Sequence, residues 1–446
     1  MLFSSLLVLA ASPLIHAASV PNAAHDHDHV ERYQLPKRWY QPTGHRVENL
    51  FKRGPDDGVD RPRVGSPEWA AQFPADVPDY TQLPKEWTDA LAAADAAGKI
   101  PNIPHASAPG GQSNPVYPPG VNPSSPEICS ATYKCVIPED EDLWNAPTGV
   151  YGSSFDDGPY PSSPRLIEFL QSNDVTTTHF MIGKHILINP TVFLQAFNAG
   201  HDIAVHTYNH LYMTTLTNEQ IVGQLGWTMQ IIHESTGGRV PRYWRPPYGD
   251  SDQRVRAIAK EVFGLDTVIW NRDTEDWGLI SGATTAEAVH TSLTTWITAN
   301  PKLGPKTPGL VILEHEIDDR QVDAFIASFP LIAQNGWTFE SLAQIYPDRG
   351  GPYQNAASST STDVVRQSIT EGSADDGDDD TSSSTSSSPS TQSNTGSTST
   401  QTTSAGSSSA TTSAGASAGN SGMIAQPAFA WSLALGLVGL ASGLFL

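Results

Sequence analysis

The sequence predicts an α/β fold: one barrel-sized domain with a mainly parallel sheet, flanked by low-complexity segments. Three observations carry that prediction. Between residues 126 and 350, apolar runs of strand length alternate with longer stretches of helical periodicity. Such alternation implies parallel strands with helices outside, in a sheet that is either open or closed into a barrel. The stretch is about 220 residues long, which suits one barrel. On both sides of it the composition turns to segments that lack the apolar density of a core.

Residues 1–18, "MLFSSLLVLAASPLIHAA", form an apolar run that ends in small residues and read as a secretory signal peptide cut near Ala17 and Ala18. Residues 19–125 are rich in Pro, Gly and charge, and are expected to be a pro-like or extended region. The basic pairs Lys37-Arg38 and Lys52-Arg53 read either as processing sites or as solvated charge. The Ala-rich run around Trp87–Ala97 is the one convincing helix there, and no core is expected before residue 125.

Within 126–350, "V-T-T-T-H-F-M-I" and "L-V-I-L-E-H" are β-branched and apolar, bounded by Gly or Pro, and predict strands. "P-R-L-I-E-F-L" and "Q-I-V-G-Q-L-G-W-T-M-Q-I-I" carry helical periodicity. Cys129 and Cys135 are the two cysteines of the chain. In an exported protein they are expected to pair rather than remain as buried thiols, closing a short loop worth roughly 2 kcal/mol.

Residues 351–420 are expected to form a Ser/Thr-rich disordered stalk. No Asn-x-Ser/Thr acceptor survives, because the candidates carry Pro in the middle, so sugar is expected on the stalk hydroxyls. Residues 421–446 end in an apolar tail, and no Lys or Arg follows Arg366. Small residues at Asn420, Ser421 and Gly422 ahead of the tail fit a glycolipid-anchor (GPI) signal removed on maturation, with Asn420 or Ser421 as the attachment point. The expected destination is the cell surface: plasma membrane and cell wall. The formal charge is −22, of which residues 351–446 supply seven acids against Arg366, or −6. An acidic surface without a basic patch excludes nucleic acid as a partner.

Five strings within the domain carry chemistry. "F-D-D-G-P" sets Asp156 and Asp157 side by side at what reads as a strand end. Successive side chains of extended backbone point to opposite faces, so the two carboxylates should do different jobs. "D-D-G" recurs at Asp56 and Asp375, but in segments without a preceding strand. "H-T-Y-N-H" places His206 and His210 at i and i+4, on one helical face or in a tight loop opening a helix, close enough to share a metal. That spacing alone is weak, since His25 and His29 repeat it in a segment that looks unfolded. "R-P-P-Y-G" holds the Arg245 guanidinium on a rigid turn, "D-T-E-D-W" offers Asp273 and Asp276 beside Trp277, and "L-V-I-L-E-H" ends an apolar strand on His315. Taken singly, Arg245 reads as an ion pair, Trp277 as packing and His315 as a satisfied strand-end histidine.

In this order the five strings resemble the motifs of the polysaccharide deacetylase family, the NodB-like carbohydrate esterases. Signal, stalk and anchor together are similar to the layout of fungal chitin deacetylases. "T-T-H-F-M-I-G" and "G-H-D-I-A-V-H-T" are also similar to family strings, with His179, Asp202 and Val205 as departures. The resemblance implies a single catalytic domain folded as a distorted (β/α) barrel of the NodB-homology type. It implies that Asp157, His206 and His210 hold one divalent metal, Zn²⁺ or Co²⁺. Asp156 would be the general base toward water, oriented and tuned by Arg245, and the backbone N–H of Tyr248 would stabilise the developing oxyanion. His315 would protonate the leaving amine, with Asp276, joined by Asp273, fixing its tautomer. Trp277 and Leu313 would wall an acetyl pocket.

The implied activity is removal of N-acetyl groups from chitin to give chitosan and acetate. An O-acetyl xylan esterase using the same site and a catalytically decayed wall polysaccharide-binding protein stand as alternatives. Peptidoglycan is disfavoured because the anchor signal is eukaryotic in type.

Overall fold

A computed structural model of the chain describes residues 45, 47–51, 62–109, 114–137, 142–298 and 307–355. The signal peptide, both dibasic pairs, the His25/His29 pair, the other two Asp-Asp-Gly triplets, most of the stalk and the anchor residues Asn420 and Ser421 lie outside these. Among the described residues no helix is long and apolar enough to cross a membrane.

The strands are β1 Asp142–Leu143, β2 Val150–Asp156, β3 Thr178–Met181, β4 Asp202–Val205, β5 Tyr243–Trp244, β6 Asp266–Val268, β7 Arg272–Asp273, β8 Leu310–Leu313 and β9 Thr338–Ser341. Every ladder is parallel and the order is β1-β6-β5-β4-β3-β2-β8-β7, with β9 on the early part of β2. β6 and β7 are consecutive in sequence yet lie toward opposite ends of that order. Residues 269–271 join them: the Ile269 N–H donates to Leu143 O at 2.8 Å, and the Asn271 N–H to Val311 O at 2.9 Å. The sheet thereby curls back on itself as a distorted barrel, one of the two forms the alternation allowed.

Phe180, Ala204, Tyr243, Val268 and Val311 fill the barrel interior together with Leu342 and Ile345. Residues one position along the same strands, such as Ile203 and Ile312, face outward into two separate helix layers, as the two-residue period of a strand requires. The strands expected at "V-T-T-T-H-F-M-I" and "L-V-I-L-E-H" are β3 and β8. The two helical strings become helices Ser163–Ser172 and Asn218–Ser235. Thr217 and Gln220 form a reciprocal capping box that starts the second of these.

The expectation that no core lies before residue 125 is corrected. Val47, Leu50, Phe51, Trp69, Phe73, Trp87, Leu91, Ala94 and Ile100 are buried in the same cluster as the barrel's outer layer. Helix Lys85–Ala96 forms where the Ala-rich run predicts it, and Gly98 at φ 68° follows its end. Its Trp87, Leu91 and Ala94 recur at helical spacing and make one buried stripe. Helix Asn218–Ser235 receives them through glycines. A Cβ at residue 226 would fall 2.5 Å from the Trp87 ring, and one at 223 would fall 2.7 Å from the Tyr80 ring.

The folded part also runs past the expected stalk boundary at 350. Tyr353, Gln354 and Asn355 are buried, and the Gln354 side chain donates to Pro241 O and Phe263 O. Between the N-terminal segment and the barrel, Cys129 and Cys135 are joined in a disulfide.

Candidate active site

The five chemical strings meet at the carboxyl ends of the parallel strands, where α/β barrels build their sites. Asp156 is the last residue of β2 and is 2% exposed. Its Oδ1 accepts from Arg245 Nη1 at 2.6 Å. The Arg245 guanidinium is itself fully buried, lies over the Phe180 ring at 4.2 Å and donates from Nη2 to Ile269 O. Burial pulls that guanidinium below its ordinary pKa, and the Asp156 carboxylate opposes the shift.

Asp157 does diverge from Asp156, but not by strand alternation. Its backbone turns left-handed at φ 75°, so the chain leaves the strand at this residue. Asp157 Oδ1 lies 3.2 Å from His206 Nε2 and 3.1 Å from His210 Nε2. The histidine pair occupies a tight loop between β4 and helix Asn218–Ser235 rather than a helical face, with Thr207 at φ 62° and His210 at φ 57°. His206 Nδ1 donates to Arg245 O at 2.7 Å, which fixes the tautomer and leaves the Nε2 lone pair facing Asp157.

These three residues fit a divalent cation. One ligand atom from each lies within 4.8 Å of the other two. Asp157 Oδ1 is buried, and despite its short distances to both imidazoles it has no hydrogen bond of acceptable geometry. A carboxylate oxygen and two imidazole nitrogens suit Zn²⁺ or Co²⁺. Burial alone would raise the pKa of Asp157, but the neighbouring His210 and His206 outweigh it and hold the group well below the usual carboxylate range.

On the other side of Asp156, the Asp156 N–H donates to Glu314 O and residue 315 pairs alongside Asp156 as an isolated parallel bridge. His315 is gripped twice by Asp276: Nδ1 to Oδ1 at 2.6 Å and backbone N–H to Oδ2 at 2.8 Å. Nε2 remains for proton exchange. Burial works against a charged imidazole, yet Asp276 first, and Asp157 and Asp156 after it, push His315 up to about 10.

Asp273 is corrected: no hydrogen bond joins it to His315. Its Oδ1 instead accepts from the Glu275 N–H at 2.8 Å, shaping the turn in which Glu275 takes φ 57°. Trp277 is half-buried directly after Asp276, and Leu313 is buried at the end of β8. Tyr248 sits at φ 60° on its turn, 50% exposed, stacked on Tyr212 at 4.1 Å and packed 4.5 Å from the His210 ring.

Sequence reasoning missed the groups behind these. Glu314 takes the Tyr151 hydroxyl at 2.7 Å, and burial, with repulsion from Asp276, pushes it up to about 8. On the outer face of the strands, Glu316 meets His179 at 2.6 Å, and His179 meets His201 at 2.7 Å; all three are buried. Glu316 occupies space that only a glycine at 158 leaves, since a Cβ there would fall 2.1 Å from its Oε1. The one signal available was His179 standing where the family string carries Phe.

The polysaccharide deacetylase family model matches residues 145–267. Chitin deacetylase 3 of Cryptococcus neoformans var. neoformans serotype D is 41% identical over 320 residues, 70% of this chain and 73% of that protein. The chain belongs to the polysaccharide deacetylase family. Chitin deacetylase 1 of Saccharomyces cerevisiae is 36% identical over 228 residues, covering 50% of this chain and 69% of that protein. Among solved structures, the family 4 carbohydrate esterase from Streptomyces lividans in complex with acetate matches at 29% identity and a TM-score of 0.38, over 46% of this chain and 96% of that one. As a polysaccharide deacetylase the protein is an enzyme of the carbohydrate esterase class.

Proposed function

We propose that this polysaccharide deacetylase removes N-acetyl groups from chitin, yielding chitosan and acetate, with one Zn²⁺ or Co²⁺ held by Asp157, His206 and His210. The carrying observation is the pairing of that triad with an Arg-held carboxylate on one side and an Asp-held imidazole on the other. A bound divalent cation supplies Lewis acidity, acidifying water and polarising the acetyl carbonyl.

Asp156, fixed by Arg245 at 2.6 Å, takes a proton from the attacking water. The turn carrying Tyr248 presents its backbone N–H to the oxygen that gains charge as the carbonyl carbon becomes tetrahedral. His315, whose Nδ1 is committed to Asp276, gives its Nε2 proton to the sugar amine as the C–N bond breaks. An amine leaves poorly without that proton. Trp277, next in sequence to Asp276, and Leu313, two residues before His315, are the groups proposed to enclose the acetyl methyl.

The relatives named for chitin deacetylation support the substrate. The signal-like start, the hydroxyl-rich stretch and the anchor-like end of the sequence support action at the cell surface, on wall polysaccharide, through a glycolipid anchor. The test is acetate release from chitin hexamer and from acetylated xylan, with chelator and then with Zn²⁺ or Co²⁺ added back. Release from chitin hexamer alone, lost with chelator and restored by metal, is expected. Release from xylan alone would reassign the substrate, and no release from either would indicate a polysaccharide-binding protein.

A further inference from the structure

The residues ahead of the barrel lie outside the stretch matched by the family model, which begins at 145. They nevertheless take hold of the loop between the two histidine ligands. Tyr208 and Asn209 lie between His206 and His210. The Tyr208 hydroxyl donates to Pro74 O, and Asn209 Nδ2 donates to Asp76 O at 3.3 Å. Lys184, whose backbone N–H donates to Tyr208 O at 3.1 Å, forms an ion pair with the Asp76 carboxylate.

Behind the loop stands Gln224, fully buried on helix Asn218–Ser235. Its Oε1 accepts from the backbone N–H groups of Tyr208 at 3.0 Å and Asn209 at 2.8 Å. Its Nε2 donates to Asn209 Oδ1 and to the Tyr80 hydroxyl, both at 2.9 Å. All four hydrogen-bonding positions of the amide are thereby filled, and the Tyr80 hydroxyl is the partner that comes from outside the barrel. The loop needs such support. Thr207 and His210 are non-glycine residues in left-handed backbone, a conformation that persists only where the surroundings over-determine it.

We infer that residues 74–80 are a positioning clamp for the His206–His210 loop, so that metal affinity is set partly from outside the barrel. The inference rests on the proposed metal site and deepens it. If the segment merely covered apolar surface, deleting one hydroxyl from Tyr80 would change stability and leave metal binding alone. If it is a clamp, the same deletion leaves one Gln224 amide hydrogen unpaired and loosens the loop it orients.

The experiment uses the full chain and compares Tyr80→Phe, Tyr208→Phe and the double variant with the parent. Zn²⁺ dissociation constants are measured by competition with a chromophoric chelator, well below the unfolding midpoint of every variant. Each single variant is expected to bind Zn²⁺ roughly threefold to tenfold more weakly, below the roughly 10–100-fold cost of removing a group bonded directly to a metal ligand, because these hydroxyls act one step further out. The double variant should lose less than the product of the two, because both bonds brace one loop. At saturating Zn²⁺, kcat should return to the parent value. Lys85→Ala, five residues beyond the clamp at the start of helix Lys85–Ala96 and in an exposed pair with Asp89, should leave affinity unchanged. Parent-like Zn²⁺ affinity in both tyrosine variants would overturn the clamp while leaving the metal site intact. A parent chain that binds neither Zn²⁺ nor Co²⁺ would overturn the metal site and the clamp with it.

Discussion

Asp276 spends both carboxylate oxygens on His315, one on the ring and one on the backbone N–H. Under the proposed mechanism His315 must be charged when the amine leaves, so activity is expected to fall as pH rises through the pKa of the imidazole. Asp276 is the foremost group raising that pKa, so Asp276→Asn should move the alkaline limb of kcat/KM to lower pH. It should also cost up to roughly 10²-fold in rate, within the range of acid-base contributions. An unmoved alkaline limb in the measured pH profile would remove His315 as the group that limits activity there. Residues such as these were legible because each sits in a contiguous string whose chemistry can be named. Asp273 misled because it is equally acidic and only three residues from Asp276, and nothing in the sequence says which of the two reaches a histidine 39 residues after Asp276. Glu316 and His179 were illegible for a related reason: they are 137 residues apart, and only the parallel pairing of strands brings them together.

At the level of elements, β3, β8 and the helices Ser163–Ser172 and Asn218–Ser235 were readable because their apolar periodicity is strong and local. The packing of the N-terminal segment was not. Its aromatic residues are dispersed among Pro and charge, and what they fit is a pair of glycines on a helix more than 120 positions away. Gly226→Ala sets the local and tertiary effects against each other. A helix interior gains about 1 kcal/mol when Gly becomes Ala. A methyl 2.5 Å from the Trp87 ring forces that ring to move, and overpacking of this kind costs about 1–3 kcal/mol. The tertiary cost should win, lowering the denaturant midpoint, and Trp87→Leu in the same background should recover part of the loss. A raised midpoint for Gly226→Ala would mean that Trp87 is not seated there.

For the molecule as a whole, the question is where the folding unit begins. Composition placed the domain at 126–350, yet the buried surface extends from Val47 to Asn355 among the described residues. Helix Lys85–Ala96 covers helices Asn218–Ser235 and Gln253–Phe263, and Thr132 and Tyr117 hold Asp250 and Asp252 behind the Tyr248 turn. A chain cut to begin at Asp142 would therefore bare the apolar stripe that Phe51, Trp69, Trp87 and Leu91 now cover, and would lose the partners of two site loops. Exposed apolar surface on that scale favours aggregation over a soluble monomer. Residues 45–355 are expected to unfold in one cooperative calorimetric transition, whereas residues 142–355 should aggregate or show no such transition. A soluble 142–355 fragment with parent-like Zn²⁺ affinity would show that the barrel folds and arms its histidine loop without the segment wrapped around it. The integrity of the catalytic end would then be a property of the strands alone.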